Sequence, residues 1–382
     1  MKTFLTFAAA IAAFCLASTS CSGNKAQTTD PATEQTENNF KIRRGTNLSH
    51  WLSQSEERGE ARQQHVQEDD YERLASLGFD FVRIPIDEVQ FWDEEGNKLP
   101  EAWDLLTQSL DFCGKYNLRA IVDLHIIRSH YFNAVNEGDK SANTLFTSEE
   151  SQQQLIGMWE QLSEVLNGYS VDSVAYEFMN EPVAEDPEQW NQLIAKVHKA
   201  LRTLEPDRTL IIGSNMWQSC GTFKDLRVPE GDKNIVLSFH FYDPSIITHY
   251  GAWWTPIGKY TGKVNYPGQL VSQEDYDAAP EDLKPELVQY MTEWNRDVLH
   301  DKMADAINVA DSLGLQLFCG EWGVYEPVDR ELAYKWYKDM ISIFNEFGVA
   351  WTTWCYDADF GFWDQAKHDY KDRPLVDILM AE

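Results

Sequence analysis

The stretch YERLASLGFDFVRIPI, residues 71–86, decides the fold because a helical pattern and a strand pattern meet in it at one glycine. Apolar side chains recur at helical spacing up to Leu77, and Gly78 can take the left-handed conformation that ends a helix. The run after it is rich in aromatic and β-branched residues, which is typical of a strand buried on both faces. The same unit recurs in residues 305–322 and 336–354, so the sequence predicts a repeated helix–strand architecture.

Eight strand-like runs can be identified from about residue 40 onward, with helical patterns between most of them. They comprise residues 45–47, 79–86, 118–123, 174–178, 209–213, 235–239, 315–322 and 349–354. Strands that alternate with helices pair in parallel, and eight such units favour a single-domain (β/α)₈ barrel of the α/β class. An open, doubly wound sheet is the competing layout.

A polar or aromatic residue closes every run. In AYEFMNEPV, residues 175–183, the apolar run stops on an amide beside a carboxylate. The residues that follow the eight runs are Asn47, Arg83, Asp123 with His125, Asn180 with Glu181, Asn215 with Trp217, His240 with Tyr242, Glu321, and Trp354. A barrel enzyme works at the carboxyl ends of its strands, so these side chains are expected to converge on one site.

Glu181 and Glu321 are the candidate catalytic pair. They lie far apart in sequence, but a barrel places the ends of its fourth and seventh strands across one cavity. Two carboxyl groups that flank a cleft can break a glycosidic bond, one as a protonated acid and the other ionised. A single glutamate at a strand end is usually solvated or ion-paired, so the prediction depends on the pair.

The sequence resembles glycoside hydrolase family 5, a (β/α)₈ family of retaining β-glycanases, from about residue 42 to about residue 362. The motifs that carry the resemblance are RGTNLSHW at 44–51, FVRIPI at 81–86, VDLH at 122–125, FMNEP at 178–182, HFY at 240–242, GEWG at 320–323 and TTW at 352–354. No single motif would suffice, but together they are highly specific.

The resemblance implies that Glu181 is the acid/base and Glu321 the nucleophile. It further implies that Asn180 holds the sugar 2-hydroxyl, that Arg83 and Tyr242 lie against Glu321, that His125 and His240 line the −1 subsite, and that Trp354 forms its floor. A cation near Glu321 would lower its pKa. Asn47 and Trp217 are further candidates for substrate binding. Arg83 could instead be a structural ion pair, and His125 a satisfied buried histidine.

The expected function is that of a retaining endo-β-glycanase acting on a β-1,4-linked glucan, either cellulose-like or mixed-linkage. β-Mannan, xyloglucan and exo-acting β-glucosidase activity remain alternatives on the same residues. A metal-dependent barrel enzyme, with Asp123, His125 and His240 as ligands, is disfavoured because there is no paired-histidine motif after the first strand. A glycan-binding protein without catalysis is disfavoured because binding needs neither glutamate. No metal or cofactor is expected.

The long segment of residues 245–270 reads as a functional loop. Trp253, Trp254 and Tyr260 in it would either stack sugars along a cleft or pack onto the barrel rim. His130 and Tyr131 are candidates to line a negative subsite.

The formal net charge of −30 argues against nucleic acid and favours a neutral polysaccharide or oligosaccharide partner.

Residues 1–20 read as a signal peptide, and Cys21 as the lipidated first residue of a bacterial lipoprotein. An ordinary secretion signal is the alternative. Residues 21–39 would be a flexible tether and 40–382 the catalytic domain. The expectation is an exported, monomeric outer-membrane lipoprotein on the cell-surface or periplasmic face, with the membrane touched only through the anchor.

The cysteines of the domain are widely scattered, and their spacing does not suggest a zinc site. Cys319 and Cys355 lie in apolar stretches and are expected to be buried thiols. One disulfide among Cys113, Cys220, Cys319 and Cys355 is left open.

Overall fold

The computed structural model describes residues 36–134 and 143–381. Eight parallel strands form a closed barrel in which each strand pairs with its neighbours in chain order and the first pairs with the last. The strands are β1 Arg44–Asn47, β2 Phe81–Asp87, β3 Arg119–Ile126, β4 Val174–Glu177, β5 Leu210–Gly213, β6 Ile235–Phe241, β7 Gln316–Trp322 and β8 Ala350–Thr353. The predicted (β/α)₈ barrel is confirmed, and the open sheet is excluded.

Within the described ranges, seven helices of seven or more residues surround the barrel. They are α1 Glu68–Leu77, α2 Pro100–Lys115, α3 Glu149–Leu166, α4 Pro187–Leu204, α5 Arg296–Leu313, α6 Arg330–Phe347 and α7 Arg373–Leu379. The glycine that follows α1 behaves as its position in the opening stretch predicts. Gly78 has φ 99°, and its N–H caps the carbonyls of Leu74 and Ala75.

Shorter elements lie in the loops. One-turn and two-turn helices span Glu60–His65, Glu88–Phe91, Asn215–Gln218, Cys220–Asp225, Ser245–Thr248, Pro256–Lys259, Gln273–Ala278, Lys284–Leu287, Val288–Met291 and Ala358–Phe360. Two-stranded antiparallel ribbons pair Gly268–Gln269 with Glu293–Trp294, and Trp363–Asp364 with Asp369–Tyr370.

Two connections depart from the regular helix–strand alternation. Between β5 and β6, where every residue is described, there are only short helical turns. Between β6 and α5 the chain makes an excursion over residues 242–295, which we call the β6–α5 insert. It carries several short helices and one of the two ribbons. The insert lies beyond the carboxyl end of β6, on the side of the barrel where the site is expected.

The inside of the barrel is built in layers because side chains alternate between its two faces. The floor is an apolar layer with one residue from each of seven strands, closed from below by two residues that precede β1. It consists of Phe81, Ile121, Ala175, Ile211, Val236, Phe318 and Ala350, with Phe40 and Ile42. Two positions further along, five of these strands carry polar residues, which begin the site: Arg83, Asp123, Glu177, Ser238 and Thr352.

The last residues of the predicted tether form hydrogen bonds with the barrel domain. Residues 36–39 fall in the predicted tether, but the backbone N–H groups of three of them donate to side chains of the barrel domain. Thr36 donates to Asp207 (2.8 Å), Asn38 to Asn234 (2.9 Å) and Asn39 to Asp172 (2.7 Å). A polar segment without large apolar groups can still be fixed by hydrogen bonds. The signal peptide, Cys21 and the rest of the tether lie outside the described residues.

Cys113, Cys220, Cys319 and Cys355 are all buried free thiols. None of the described helices is both long enough and apolar enough to cross a bilayer.

Candidate active site

Arg83 lies at the centre of the barrel mouth and has no solvent exposure. Its guanidinium contacts side chains from several surrounding strands. The partners are Glu177 (2.7 Å), Asp123 (3.0 Å), Glu321 (3.0 Å), Asn180 (2.9 Å) and Asn47 (3.0 Å). Burial acts to lower the pKa of Arg83, but the three carboxylates outweigh it and raise that pKa above its ordinary value. The cation therefore stays charged and fixes the groups around it.

Asn47 lies at the carboxyl end of β1, next to Arg83. Its side chain has no exposure, and its N–H₂ donates to the carbonyls of Gly320 (3.0 Å) and Thr353 (3.1 Å). Its oxygen accepts from Arg83. All three contacts are within the protein and hold Asn47 against Arg83 and the ends of β7 and β8, while its predicted substrate-binding role stays a prediction.

Glu321 enters the site because β7 bulges. The pairing of β6 with β7 steps from Phe239–Cys319 to His240–Glu321, which leaves Gly320 unpaired. A bulge of this kind re-aims the next side chain, so Glu321 points into the barrel while Trp322 packs outward. The Glu321 carboxylate accepts from Arg83 at 3.0 Å and from the Tyr242 hydroxyl at 3.1 Å.

The pKa of Glu321 is raised above its ordinary value, contrary to the expectation that a nearby cation would lower it. Burial is the main cause, and the charge of Arg83 opposes it without cancelling it. The charge of Arg83 does not act on Glu321 only, because the same cation also pairs with Asp123 and Glu177. Burial likewise raises the pKa of Asp123, to about 7.

Glu181 sits at the end of β4 in a left-handed backbone conformation with φ 44°. A side chain rarely adopts this region, and the surroundings must hold it there. The backbone N–H of Glu181 donates to the Gln218 side chain (2.8 Å), and its carbonyl accepts from His130 (3.0 Å). Burial, and then the charge of Glu321, raise the pKa of Glu181 well above its ordinary value. Glu181 therefore tends to hold its proton at neutral pH, as a general acid must before it donates.

The two carboxyl groups face each other across one space. One oxygen of Glu181, one of Glu321 and a ring nitrogen of His240 all lie within 4.8 Å of one another. The His240 Nδ1 is 2.9 Å from Glu181 and 3.6 Å from Glu321. Retaining glycosidases hold their carboxyls about 5–5.5 Å apart and inverting ones about 6.5–9.5 Å apart, so the retaining geometry is matched. The same three side chains could hold a divalent cation, which would then compete with a substrate.

His125 and Trp354 form one wall of the site. Their rings stack at 5.5 Å with an interplanar angle of 6°. His125 pairs with Asp123 (2.7 Å) and Gln54 (2.9 Å), and burial lowers its pKa to about 4. The imidazole is therefore neutral at neutral pH, and the wall has no net charge beyond that of Asp123.

Asn180 has an unused donor. Its oxygen accepts from Arg83, but among the described residues its buried N–H₂ has no hydrogen-bond partner. A buried amide group without a partner costs free energy unless a ligand or water satisfies it. This is the geometry expected of a group that binds a sugar hydroxyl.

Trp217 lies at the edge of the site. It is half-buried with φ 58°, and its indole N–H donates to the carbonyl of Phe132 (3.0 Å), whose ring packs against His125 at 5.5 Å. The Asn215 side chain exchanges two 2.9 Å hydrogen bonds with the backbone of Ala184, which fixes the loop after β4 to the loop after β5. His130 is fully buried beneath Glu181, so it cannot line a subsite as expected.

Two important residues did not emerge from the sequence. Gln218 links Glu181 to Glu177 (3.2 Å) and Ser238 (2.8 Å), and it fills the space that a side chain at Gly213 would need. Glu177 is the second. An ionisable residue inside the apolar run of β4 was a usable signal for it, whereas nothing in the local sequence marks Gln218.

Comparison with known proteins gives the family. Residues 34–360 match the model of the cellulase family, glycosyl hydrolase family 5. Endoglucanase C of Acetivibrio thermocellus is 30% identical over 344 residues, covering 88% of this chain and 97% of that protein. Cellodextrinase A of Ruminococcus flavefaciens is 27% identical over 310 residues, covering 81% and 84%. A hyperthermophilic endo-β-1,4-glucanase solved in complex with substrate superposes with a TM-score of 0.69 at 24% identity, covering 90% and 98%, which supports the fold.

The chain therefore belongs to glycosyl hydrolase family 5 and is a glycoside hydrolase.

Proposed function

We propose that this family 5 enzyme is a retaining endo-β-1,4-glucanase. The observation that carries the proposal is the close approach of the Glu181 and Glu321 carboxyls, with oxygens within 4.8 Å. The specificity for β-1,4-glucan is supported by the relatives named endoglucanase and cellodextrinase.

In the first step Glu181 donates its proton to the glycosidic oxygen as Glu321 attacks the anomeric carbon. The leaving chain departs as an alcohol, and an ester bond joins the sugar to Glu321. Arg83 and Tyr242 hold the attacking carboxylate in place through 3.0 and 3.1 Å hydrogen bonds. Glu321 accepts from the Arg83 cation, whereas the Glu181 carboxyl pairs with His240, so the negative charge is favoured on Glu321 and the proton on Glu181.

In the second step Glu181 takes a proton from water, which attacks the same carbon and releases Glu321. The switch from acid to base follows from electrostatics. The charge of Glu321 helps to raise the pKa of Glu181, and that charge disappears when Glu321 becomes an ester. The pKa of Glu181 then falls, as a general base requires.

The remaining side chains position the reacting sugar. The free N–H₂ of Asn180 donates to the 2-hydroxyl, and the flat wall of Trp354 and His125 packs against the ring. His240 lies beside Glu181, and burial lowers its pKa well below the ordinary value. The imidazole therefore stays neutral and leaves the catalytic proton on Glu181.

The test is a panel of purified polysaccharides: carboxymethyl cellulose, mixed-linkage β-glucan, xyloglucan, β-mannan and xylan. We expect a rapid fall in viscosity and a ladder of oligosaccharides from the β-1,4-glucans, with retention of anomeric configuration in the first product. Release of glucose alone from chain ends would instead establish an exo-glucosidase. Cleavage confined to mannan or xyloglucan would replace the substrate class.

We further propose that the enzyme is exported as a monomeric lipoprotein anchored through Cys21. The apolar run of residues 4–17 before that cysteine and the polar segment after it support this. Radiolabelled palmitate should enter the wild-type protein expressed in its host and be absent from Cys21→Ser. Unlabelled wild-type protein would contradict the anchor, and protease accessibility on intact cells would distinguish the cell-surface from the periplasmic face.

A further inference from the structure

The β6–α5 insert is fixed on the same rim as the catalytic residues. The carbonyl of Thr248 accepts from the backbone N–H of Tyr325 at 2.9 Å, which ties the insert to the loop after β7. Gly251 lies against Pro327 of the same loop. The loops after β6, β7 and β8 thus form one continuous surface beside the site.

The three aromatic residues of the insert, for which the sequence allowed either sugar stacking or packing on the rim, differ in their exposure to solvent. Tyr260 is 2% exposed, and its hydroxyl donates to the carbonyl of Lys263, so it packs onto the rim. Trp254 is 37% exposed and Trp253 is 85% exposed, the highest value among the large hydrophobic residues described. Keeping an indole in water forgoes the free energy of its burial, so an exposed pair suggests a surface used by a ligand.

A path of aromatic rings runs from the nucleophile to these tryptophans. Tyr242, which bonds to Glu321, packs against His249 at 5.1 Å between ring centres. His249 packs against Trp254 at 6.1 Å, and Trp254 against Trp253 at 5.7 Å. Each ring is thus in contact with the next, from the reacting carboxylate to the solvent.

Rings from two neighbouring loops pack against Trp254 and His249. Tyr325, from the loop after β7, packs against Trp254 at 5.0 Å, and Phe360, from the loop after β8, packs against Trp254 at 6.4 Å and His249 at 5.9 Å. Trp254 is therefore held in place before a ligand arrives, which reduces the entropy lost on binding.

We propose that Trp253 and Trp254 form a stacking site for a glucosyl unit beyond the reacting one, on the same β-1,4-glucan chain. The inference rests on the proposed function and extends it to a specific site. A pyranose ring presents apolar C–H faces that pack on an indole, and a neutral chain is compatible with the carboxylates of Glu326 and Asp359 that lie near Tyr325. Burial lowers the pKa of His249 to about 4, so the path itself carries no charge at neutral pH.

The test compares kcat/KM for Trp253→Ala, Trp253→Phe and wild type on a series from cellotriose to cellohexaose. We expect Trp253→Ala to lower the ratio of kcat/KM on the longest to that on the shortest substrate about three- to tenfold, the range for one aromatic stacking contact. Trp253→Phe should restore most of that ratio because it keeps a ring. Trp254→Ala should show a loss that begins at a shorter chain length, because Trp254 is nearer to Glu321.

A matched control is Leu313→Ala, which removes a 44% exposed apolar side chain at the end of α5. It should leave the length dependence at the wild-type value. An unchanged length dependence in Trp253→Ala, or an equal loss on every length, would overturn the stacking site while the glucanase assignment stands. A wild-type enzyme that cleaves none of these substrates would refute the proposed function itself.

Discussion

Two of the largest fully buried side chains in this molecule are arginines, Arg83 and Arg208, and their surroundings differ in how many carboxylates share each cation. Arg83, near the carboxyl ends of the strands, contacts three carboxylates within 3.0 Å. Arg208, just before β5 at the opposite end, has one, Glu205, at 2.7 Å. Its remaining donors bond to the backbone carbonyls of Leu166, Tyr169, Ser170 and Val174.

The Arg208 cluster is a structural clamp. It ties the connection between α3 and β4 to the connection between α4 and β5, and Glu205 also accepts from Ser163 and Tyr176 at 2.6 Å each. One positive charge meets one negative charge, and the remaining donors meet backbone carbonyls. Breaking such a buried pair by removing one partner is expected to cost stability.

The Arg83 cluster is unbalanced, and the imbalance creates the chemistry. One cation cannot compensate for the burial of every carboxyl group nearby, so the pKa values of Asp123, Glu177, Glu181 and Glu321 all rise. A buried arginine therefore contributes to stability at Arg208, where the charges balance. At Arg83, where carboxylates are in excess, it contributes to reactivity.

Exchange of one carboxylate in each cluster gives the largest expected contrast. Glu321→Gln should lower kcat by roughly 10,000-fold or more, because the nucleophile is lost. The unfolding free energy of Glu321→Gln at pH 7 should not be lower than that of the wild type. The reason is that burial disfavours the ionised form of Glu321 in the folded protein, as its raised pKa indicates. Glu205→Gln should keep wild-type kcat but lose about 3 kcal/mol of unfolding free energy.

These variants are compared by initial rates on cellohexaose and by urea unfolding. A Glu321→Gln enzyme that turns over near the wild-type rate would remove the nucleophile assignment. A well-folded Glu205→Gln protein that is inactive would remove the distinction between the two clusters.

Replacement of the cations by lysine is the next contrast. A lysine has one nitrogen and cannot reach the five partners of Arg83, so Arg83→Lys should lower kcat/KM by about 1,000-fold, as losses of transition-state positioning do. Arg208→Lys should cost about 3 kcal/mol of stability with kcat retained. The measurement is kcat/KM at a temperature where thermal unfolding shows both variants to be folded, and equal kinetic losses would contradict the comparison.

The pH profile of kcat/KM tests the order of the two raised pKa values. Activity should fall on the acid side as Glu321 is protonated, and on the alkaline side as Glu181 loses its proton. Both limbs should lie above the ordinary carboxyl range, because burial raises both pKa values, and the alkaline limb should lie further above it.

Glu181→Gln should lower the rate on an aryl cellobioside by about 100-fold and abolish the alkaline limb while the acid limb remains. The profile is measured from about pH 4 to about pH 10. Glu205→Gln serves as the control and should keep both limbs. An alkaline limb that persists in Glu181→Gln would assign it to another group.

The smallest contrast uses the tyrosine that donates to the carboxylate in each cluster. Tyr242→Phe removes the 3.1 Å hydrogen bond to Glu321 and should lower kcat/KM about tenfold. Tyr176→Phe removes the 2.6 Å bond to Glu205 and should cost about 1 kcal/mol of stability with unchanged kinetics. Both variants are measured by steady-state kinetics and urea unfolding. A kinetic defect in Tyr176→Phe would contradict a purely structural role for the Arg208 cluster.

Much of the site could be named from the sequence because each strand end is marked locally. The acidic and amide residues just beyond β4, and the histidines in the last residues of β3 and β6, stand out where an apolar run stops. Gln218 could not be found in this way, since its importance comes from Glu177 and Glu181 on another strand. The missing long helix between β5 and β6 was also beyond local signals.

The sequence by itself determined the number and order of the barrel strands, since helical spacing, terminal glycines and apolar runs are short-range properties of the chain. Only the tertiary structure decided which way Glu321 points, because a bulge in β7 depends on its pairing with β6. It also decided that Asn47 supports Arg83, and that burial outweighs Arg83 in setting the pKa of Glu321. Directions, partners and pKa values depend on groups brought together from different strands, and no local stretch contains that information.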